Sequence, residues 1–370
     1  MYNEGERLED GDGGDGDYAV TPQDVFAARA RLAGVVHRTP FKGSRTLSER
    51  FGASIYLKLE NLQRTGSYKI RGAYNKLATL PEPQRARGVI AASAGNHAQG
   101  VAWSARTFGV PCIIVMPETA PLAKIQATES YGARVVLHGK GYDDAYEHAL
   151  RLAEREGYTF VHAFDDPAVI AGQGTVAVEM WEDVKDLDLV LVPVGGGGLI
   201  SGIAVALKFL RPDVRVVGVQ AQGAPALALS FRAGRRIVLS DVHTIADGIA
   251  VRAPGEITFR LIRDLVDDFV VVRETDIVRA ISFALEREKL LLEGAGAVTL
   301  AALLAAADAL GVRGKTVGLV LSGGNIDLTR LSTLLARAAQ DEEERKGETP
   351  PSPAPERTSR DAPEVHEISP

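Results

Sequence analysis

Four short segments of the sequence carry residue types that could bind an anionic ligand or use an amine in catalysis. They are TGSYK, which ends at Lys69, SAGNHAQG (93–100), VGGGGLISG (194–202) and LSGGN (321–325). Each segment lies beside a predicted strand or at the start of a predicted helix. In open parallel sheets, ligands bind at the carboxyl ends of strands, where helix N-termini offer free N–H groups. We therefore expect the four segments to meet at one site.

The glycine run Gly195–Gly198 predicts a phosphate site. It follows the apolar run LVLVPV and precedes the apolar helix LISGIAVALKFL. Backbone N–H groups without side chains can close around a phosphate, and the helix dipole adds attraction. The spacing is not G-x-G-x-x-G, no acid ends the next strand, and no GK[ST] closes the run, so a dinucleotide or a P-loop nucleotide is disfavoured. Taken alone, the run could equally be a flexible turn.

The other three segments have ordinary interpretations when each is taken alone. SAGNHAQG could bind a carboxylate or a phenolate oxygen, or it could be a helix start capped by Ser93 or Asn96. Lys69 could be a solvated helix residue, and LSGGN, with Ser322 after a strand, could be a simple turn. Together, however, the segments fit pyridoxal 5'-phosphate. This cofactor needs a lysine for its Schiff base, a phosphate clamp, a donor for its ring oxygen and a partner for its ring nitrogen.

The elements that must position these segments alternate along the chain. Short β-branched runs such as SIYLKLE, CIIVMP and VRVVGVQ are separated by longer helical patterns. A first helix is predicted from Pro22, with Thr21 as its N-cap and Asp24 in its first turn. Strands such as LVLVPV are apolar on both faces, as parallel strands covered by helices should be. The pattern predicts an α/β protein with parallel sheets.

Composition narrows the class of protein further. The chain has 370 residues, 45% hydrophobic content, a net charge of −6 and one cysteine, Cys112. No Lys/Arg cluster, signal-peptide pattern or apolar run of about 18 residues is present. We therefore expect a cytoplasmic protein that binds neither nucleic acid nor membrane, and without a disulfide or a Cys-based zinc site. Residues 1–17 and 337–370 are acidic or Pro-rich, and both are predicted to be disordered tails, with no regulatory domain at the C-terminal end.

Seven motifs occur in order across roughly Thr21–Leu334: GSYKIRGA, SAGNHAQG, VIAGQGT, VPVGGGGLISG, ADGIAV, EGAGA and SGGNIDL. Together they resemble the fold-type-II pyridoxal-phosphate enzymes, whose fold is that of the tryptophan synthase β subunit. The likeness is greatest to catabolic-type threonine/serine dehydratases and their serine racemase relatives. It implies two parallel-sheet α/β domains with the cofactor between them, and a homodimer or homotetramer. The larger domain would comprise residues 18–55 and 161–336, and the smaller one residues 56–160.

The resemblance also implies a role for each site residue. Lys69 would carry the cofactor and remove the Cα proton of the substrate. Tyr68 stands where the family usually has phenylalanine, beside the ring. The substrate carboxylate would be bound by Ser93, Ala94, Gly95, Asn96 and His97. The cofactor would be bound by Asn96 at its ring oxygen, by Gly195, Gly196, Gly197, Gly198 and Leu199 at its phosphate, by Gly248 at a ring face and by Ser322 at its ring nitrogen.

The implied reaction is elimination from a β-hydroxy amino acid. L-threonine would give 2-oxobutanoate and ammonia, and L-serine would give pyruvate and ammonia. Serine racemase and 3-hydroxyaspartate dehydratase activities are the alternatives. Similar racemases carry a second serine where this chain has Ala94, which cannot shuttle a proton. Their metal-binding carboxylates fall on Gln220 and Ala226 here, so no metal is expected.

Overall fold

A computed structural model describes residues 18–347 of the chain, with side chains described as far as residue 340. Its strands form a six-stranded sheet, in the order β1-β2-β10-β7-β8-β9, and a four-stranded sheet, in the order β5-β4-β3-β6. The strands are β1 (Phe41–Gly43), β2 (Ser54–Leu59), β3 (Val89–Ala92), β4 (Cys112–Met116), β5 (Arg134–Leu137), β6 (Thr159–Phe160), β7 (Leu189–Pro193), β8 (Arg215–Ala221), β9 (Asp268–Val272) and β10 (Thr316–Leu321).

Helices cover both faces of each sheet. The first, α1, begins after the predicted N-cap Thr21, whose side chain accepts a hydrogen bond from the Asp24 N–H in a capping box. The helices are α1 (Pro22–Leu32), α2 (Arg45–Phe51), α3 (Lys69–Thr79), α4 (Glu82–Arg87), α5 (Asn96–Phe108), α6 (Leu122–Ser130), α7 (Tyr142–Glu156), α8 (Pro167–Asp183), α9 (Gly198–Leu210), α10 (Ala226–Ala233), α11 (Glu256–Leu265), α12 (Glu274–Phe283), α13 (Gly294–Leu310) and α14 (Leu328–Gly347).

The large sheet is buried on both faces, which explains its continuous apolar strands. Along β7, Leu189 and Leu191 pack into one hydrophobic cluster, while Val190 and Val192 pack into another on the opposite face. Successive side chains of a strand point to opposite faces, so one strand serves two cores. All the pairings of this sheet are parallel except that of β1 with β2. The predicted α/β fold with parallel sheets is therefore confirmed.

The small sheet repeats this arrangement in the segment between β2 and α8. Its strands are all parallel, and Ile113 and Ile114 of β4 face two different clusters. Helices α3 and α5 contribute to one of these clusters, and α7 contributes to the other. The chain thus leaves the large sheet after β2, builds the small one, and returns to the large sheet with β7.

Two boundaries and one strand differ from the predictions. The smaller domain was expected to begin at residue 56, but that residue lies inside β2, which pairs with β10 in the large sheet. The C-terminal tail was expected from residue 337, yet α14 continues to Gly347, because its apolar face packs on the core through Leu331, Leu334 and Ala338. Strand β1 was not predicted, since three residues with a central lysine carry no strand pattern. The predicted N-terminal tail, residues 1–17, and the rest of the C-terminal one lie outside the described residues.

Two further findings concern the described part of the chain. None of its helices combines the length and the apolar character that crossing a bilayer requires. Among residues 18–347, no three His, Cys, Asp or Glu side chains are grouped so that they could hold a metal ion. Gln220, one of the two positions aligned with a racemase metal ligand, is buried. Its side chain bonds to backbone, donating to the Val194 carbonyl and accepting from the Ala228 N–H.

Candidate active site

A cavity of about 1130 Å³ opens where the carboxyl ends of strands from both sheets face each other. It collects residues from segments that are up to 257 positions apart in the sequence, from Tyr68 to Asn325. The predicted site residues that line it are Tyr68, Lys69, Ser93, Ala94, Gly95, Asn96, His97, Gly195, Gly196, Gly197, Gly198, Leu199 and Gly248. The predicted convergence of the segments at one site is therefore observed for three of them, and for Asn325 of the fourth.

Lys69 lies at the first turn of α3, and its amine reaches the cavity wall. Its Nζ donates a hydrogen bond to the Ala163 carbonyl oxygen at 2.8 Å. Burial lowers the pKa of this amine to about 8, although the Glu293 carboxyl acts in the opposite direction. A lysine with this pKa is partly neutral near physiological pH, so it can act both as a nucleophile and as a base.

The segment before Lys69 forms backbone hydrogen bonds with the segment that follows β10, and we call this pairing of residues 66–68 with residues 322–324 the clasp. Ser67 and Gly323 form an isolated antiparallel bridge, and the Gly324 N–H donates to the Gly66 carbonyl at 2.9 Å. The Tyr68 N–H donates to the Ser322 carbonyl at 3.2 Å. This clasp explains how two distant motifs come to lie together, and it fixes the origin of the lysine helix.

The SAGNH segment connects β3 to α5, as its predicted helix-start character requires. The Ser93 hydroxyl accepts a hydrogen bond from the Gly95 N–H at 3.1 Å, which closes a tight turn. The His97 Nε2–H donates to the Val161 carbonyl at 2.8 Å, so the ring is held in one tautomer. Burial, followed by the charge of Lys69, lowers the pKa of His97 to about 3, and the ring is therefore neutral. Its buried Nδ1 accepts no hydrogen bond from the described residues.

The glycine run joins β7 to α9 and leaves its amides free. Within residues 18–347, no hydrogen bond is formed by the N–H groups of Gly195, Gly196 or Gly197. A Cβ at Gly196 would lie 2.4 Å from the Phe164 ring, and Gly197 has a φ of +100°. Only glycines fit this path, which presents free amides and a helix N-terminus to the cavity. This is the donor arrangement that binds phosphate.

The remaining two predicted residues differ in position. A Cβ at Gly248 would lie 2.9 Å from the Ala295 Cβ, so the backbone passes the cavity where a side chain has no room. Ser322 is buried and does not line the cavity; its hydroxyl donates to the Ala295 carbonyl at 3.3 Å. Its predicted role toward the ring nitrogen therefore requires the hydroxyl to turn from this long hydrogen bond.

Two cavity residues were not identified from the sequence as functional. Glu293, the N-cap residue of α13, is 5% exposed, and its Oε1 accepts a hydrogen bond from Asn96 Nδ2 at 2.6 Å. Burial and the nearby Asp247 raise the pKa of Glu293 to about 8. Asn325 donates from its Nδ2 to the Asn96 Oδ1 at 2.8 Å. Both residues belong to quoted motifs, EGAGA and SGGN. The sequence signal that could have identified Glu293 is an acidic residue placed between two apolar runs, LLL and GAGAV.

The Tyr68 hydroxyl is the group that a phenylalanine would lack. The side chain lines the cavity, and the hydroxyl makes no hydrogen bond with the described residues. Burial, with the Glu293 carboxyl in addition, raises the pKa of this phenol above its ordinary value. The hydroxyl is therefore a neutral donor beside the cavity, available to a ligand.

Two ion pairs beside the cavity join the part of the chain built on the small sheet, the small unit, to the part built on the large sheet, the large unit. Lys124 of α6 lies 2.8 Å from the Asp247 Oδ2, and Arg252 lies 2.6 Å from the Asp143 Oδ2 of α7. All four residues line the cavity. The small unit is therefore tied to the large one on two sides of the cavity.

The residues present fit pyridoxal phosphate. The site combines a partly neutral lysine amine, a cradle in which a Cβ at Gly196 or Gly197 would collide with neighbouring side chains, and an orphaned ring nitrogen on His97. The Asn96 carboxamide, the Tyr68 hydroxyl and the free amides of the glycine run provide the donors that an anionic ring oxygen and a phosphate need.

Comparisons with known proteins agree with this geometry. A family model described as "Pyridoxal-phosphate dependent enzyme" matches residues 32–323. An L-threonine ammonia-lyase of Thermotoga maritima is 53% identical over 316 residues, which cover 85% of this chain and 78% of that protein.

Solved structures of a threonine deaminase and of a serine racemase are also similar to this chain. The processed form of threonine deaminase isoform 2 from Solanum lycopersicum is similar with a TM-score of 0.84 at 39% identity, covering 89% of this chain and 90% of that one. Maize serine racemase is similar with a TM-score of 0.82 at 36% identity, covering 88% of this chain and all (100%) of that one. Both a deaminase and a racemase are thus built on this architecture.

Proposed function

The chain belongs to the pyridoxal-phosphate dependent enzyme family, and from this premise we propose that it is a threonine ammonia-lyase. It converts L-threonine to 2-oxobutanoate and ammonia, and L-serine to pyruvate and ammonia. The observation that carries the proposal is the Lys69 amine, with its pKa lowered to about 8, in one cavity with the glycine cradle and the SAGNH loop. The 53% identity to an L-threonine ammonia-lyase supports the choice of reaction.

The cofactor would be held by residues of both units. Lys69 would provide the Schiff-base amine, Gly195–Gly198 with Leu199 the phosphate amides, and Asn96 a donor to the ring oxygen. Gly248 and Tyr68 would contact the ring, and Ser322 would face its nitrogen. When bound, pyridoxal phosphate supplies an electron sink for charge that develops at the Cα of the amino acid.

The residues of the chain then carry the proton chemistry and the positioning. The N–H groups of Ala94, Asn96 and His97, which form no hydrogen bond with the described residues, would bind the substrate carboxylate and orient Cα toward Lys69. The Lys69 amine would accept the Cα proton, since its lowered pKa keeps part of it neutral. His97, neutral and bonded to the Val161 carbonyl, would keep the loop in place without adding charge.

Racemisation is the second candidate, because maize serine racemase has a similar structure. A racemase needs a second proton donor on the face of Cα opposite the lysine. Ala94, which lines the cavity at the position where similar racemases carry a second serine, has only a methyl group. Gln220 has a carboxamide in place of a metal-binding carboxylate, and both ends of this amide bond to backbone groups. These features support elimination over racemisation. A 3-hydroxyaspartate dehydratase remains an alternative, and its substrate would bring a second carboxylate into the cavity.

The experiment compares 2-oxo acid release from L-threonine, L-serine, their D-forms and 3-hydroxyaspartate under steady-state conditions. We expect release from L-threonine and L-serine, and L-serine recovered after partial reaction should contain no D-serine by chiral analysis. Substantial D-serine would favour the racemase instead. Release confined to 3-hydroxyaspartate would favour that dehydratase. Absence of 2-oxo acid from every substrate, with cofactor bound, would overturn the proposal.

We also propose that the protein is a homodimer or homotetramer in the cytoplasm. Leu62 and Leu291 are exposed leucines on two segments that the Asn61–Leu291 hydrogen bond joins, and such a surface suits contact with a second copy. The single cysteine, Cys112, is buried and free, in keeping with a reducing compartment. Light scattering would measure the assembly, and a monomeric mass at assay concentrations would exclude it.

A further inference from the structure

We propose that Asn325 is a positioning residue that fixes the orientation of the Asn96 carboxamide in the cavity. The two side chains form part of one chain of hydrogen bonds. Asn325 Nδ2 donates to the Thr65 carbonyl at 2.7 Å and to the Asn96 Oδ1 at 2.8 Å, and Asn96 Nδ2 donates to the Glu293 Oε1 at 2.6 Å. The inference rests on the proposed binding of the cofactor ring oxygen by Asn96.

The hydrogen bond between Asn325 and the Thr65 carbonyl determines which atom donates and which accepts in the other hydrogen bonds of the series. The Thr65 oxygen belongs to a backbone carbonyl and can only accept, so the nitrogen of Asn325 must face it. The same nitrogen reaches Asn96, whose oxygen must therefore face Asn325. The nitrogen of Asn96 is then directed to Glu293 and the cavity. One of its two N–H groups bonds to Glu293, and the other remains for a ligand.

Without Asn325, nothing among the described contacts would distinguish the two ends of the Asn96 amide. A carboxyl such as Glu293, with its pKa raised to about 8, can accept a hydrogen bond when ionised or donate one when protonated. Glu293 would therefore tolerate either end of the amide. Asn325, anchored on a backbone oxygen, tolerates only one.

The local backbone holds Asn325 in place. Gly66 has a φ of +72°, and a Cβ there would lie 2.2 Å from the Asn325 Oδ1. Any side chain at position 66 would thus displace the carboxamide. The Gly324 N–H, donating to the Gly66 carbonyl at 2.9 Å, ties the two loops together next to it. The clasp that positions Lys69 therefore also positions Asn325, so the amine and the ring-oxygen donor depend on one structural unit.

The test is Asn325→Asp in the full-length protein. A carboxylate at 325 would repel both the Thr65 carbonyl and the Asn96 Oδ1, so the Asn96 amide should rotate and withdraw its free N–H from the ligand. We expect pyridoxal phosphate to bind the apo-protein roughly tenfold more weakly in a fluorescence titration, as for the loss of one hydrogen bond to a charged group. The pH at which the visible absorption of the bound cofactor changes should rise by about one unit, because the anionic ring oxygen loses a donor.

Two further variants separate positioning from general stability. Asn325→Ala removes the donor without adding a charge, and its effects should lie between those of wild type and Asn325→Asp. Asn61→Asp is the matched control. Asn61 also donates to a backbone carbonyl, that of Leu291, at 3.2 Å, but does not line the cavity. This control should keep the wild-type affinity and the wild-type absorption titration.

The proposal is overturned if Asn325→Asp and Asn325→Ala, with wild-type circular dichroism, keep the wild-type affinity and absorption titration. It is also overturned if Asn61→Asp changes both readouts as much as Asn325→Asp does. If Asn325→Asp does not fold, the Asn325→Ala comparison decides alone. Both readouts report cofactor binding rather than turnover. A wild-type enzyme that binds the cofactor but does not deaminate threonine would contradict the proposed function and leave this test intact.

Discussion

Replacement of Lys69 by alanine should lower kcat for ammonia release from L-threonine by at least ~10³-fold, with the fold retained. The amine is the group of the cavity placed both to bind the cofactor covalently and to accept the Cα proton. Its loss removes two functions at once, and among the lysines that the structure describes, only Lys124 also lines the cavity. Lys124 is paired with Asp247 at 2.8 Å and is not free to substitute. The measurement is the steady-state kcat in a coupled assay of 2-oxo acid release, and circular dichroism checks that the variant is folded.

Lys76→Ala provides the control on the same helix. Lys76 lies seven positions after Lys69 in α3 and pairs with Asp166 at 2.6 Å, outside the cavity. Its replacement should change kcat less than about twofold, because the Lys76 amine does not line the cavity and cannot reach the substrate. A Lys69→Ala variant that eliminates at the wild-type rate would exclude the assigned role of this lysine.

Arg71→Met should destabilise the protein by about 3–5 kcal/mol, the cost of breaking a buried ion pair from one side. Arg71, Glu60 and Glu179 are at most 1% exposed and form a closed network with Lys58. The Arg71 guanidinium donates to Glu60 at 2.8 and 2.9 Å and to Glu179 at 2.8 and 2.9 Å. The network is neutral as a whole, and methionine would leave two buried carboxylates facing the single charge of Lys58.

Urea unfolding at constant pH measures the free energy of unfolding of the apo-protein, and wild type is compared with Arg71→Met. The matched control is Arg45→Ala, because Arg45 forms an exposed pair with Glu49 at 2.7 Å, and this change should cost less than about 0.5 kcal/mol. A loss below about 1 kcal/mol for Arg71→Met would contradict the account of the network. Because Arg71 lies two residues after Lys69 in α3, the same variant should also weaken cofactor binding.

Much of the fold could be predicted because its signals are local. The Thr21 cap, Pro22 and Asp24 define the start of α1 without reference to the rest of the chain. Runs such as LVLVPV are long and apolar enough to identify buried parallel strands. Strand β1 is different: Phe41–Gly43 becomes a strand only because β2 offers an edge to pair with. The boundary at residue 56 failed for a similar reason, since membership of a sheet is a tertiary property that the composition of a strand does not carry.

The same distinction applies to the site. The sequence could predict Lys69, the SAGNH loop and the glycine run, because the chemistry of an amine, of free amides and of a turn without side chains follows from the residue types alone. Glu293 and Asn325 could not be assigned in this way, because their importance lies in what they contact. Both residues form a hydrogen bond with the Asn96 amide, and Asn96 lies 229 positions before Asn325 in the sequence. Ser322 shows the converse: its motif was recognised, yet its hydroxyl bonds to the Ala295 carbonyl and not to the cavity.

The central claim is that Lys69 carries the cofactor of a threonine-deaminating enzyme. Borohydride reduction of the purified yellow protein, followed by proteolysis and mass spectrometry, tests it most directly. We predict that the reduced pyridoxyl group is found on the peptide containing Lys69 and that the treated protein no longer releases 2-oxobutanoate from L-threonine. A pyridoxyl group on another lysine, or full activity after complete modification of Lys69, would contradict the account.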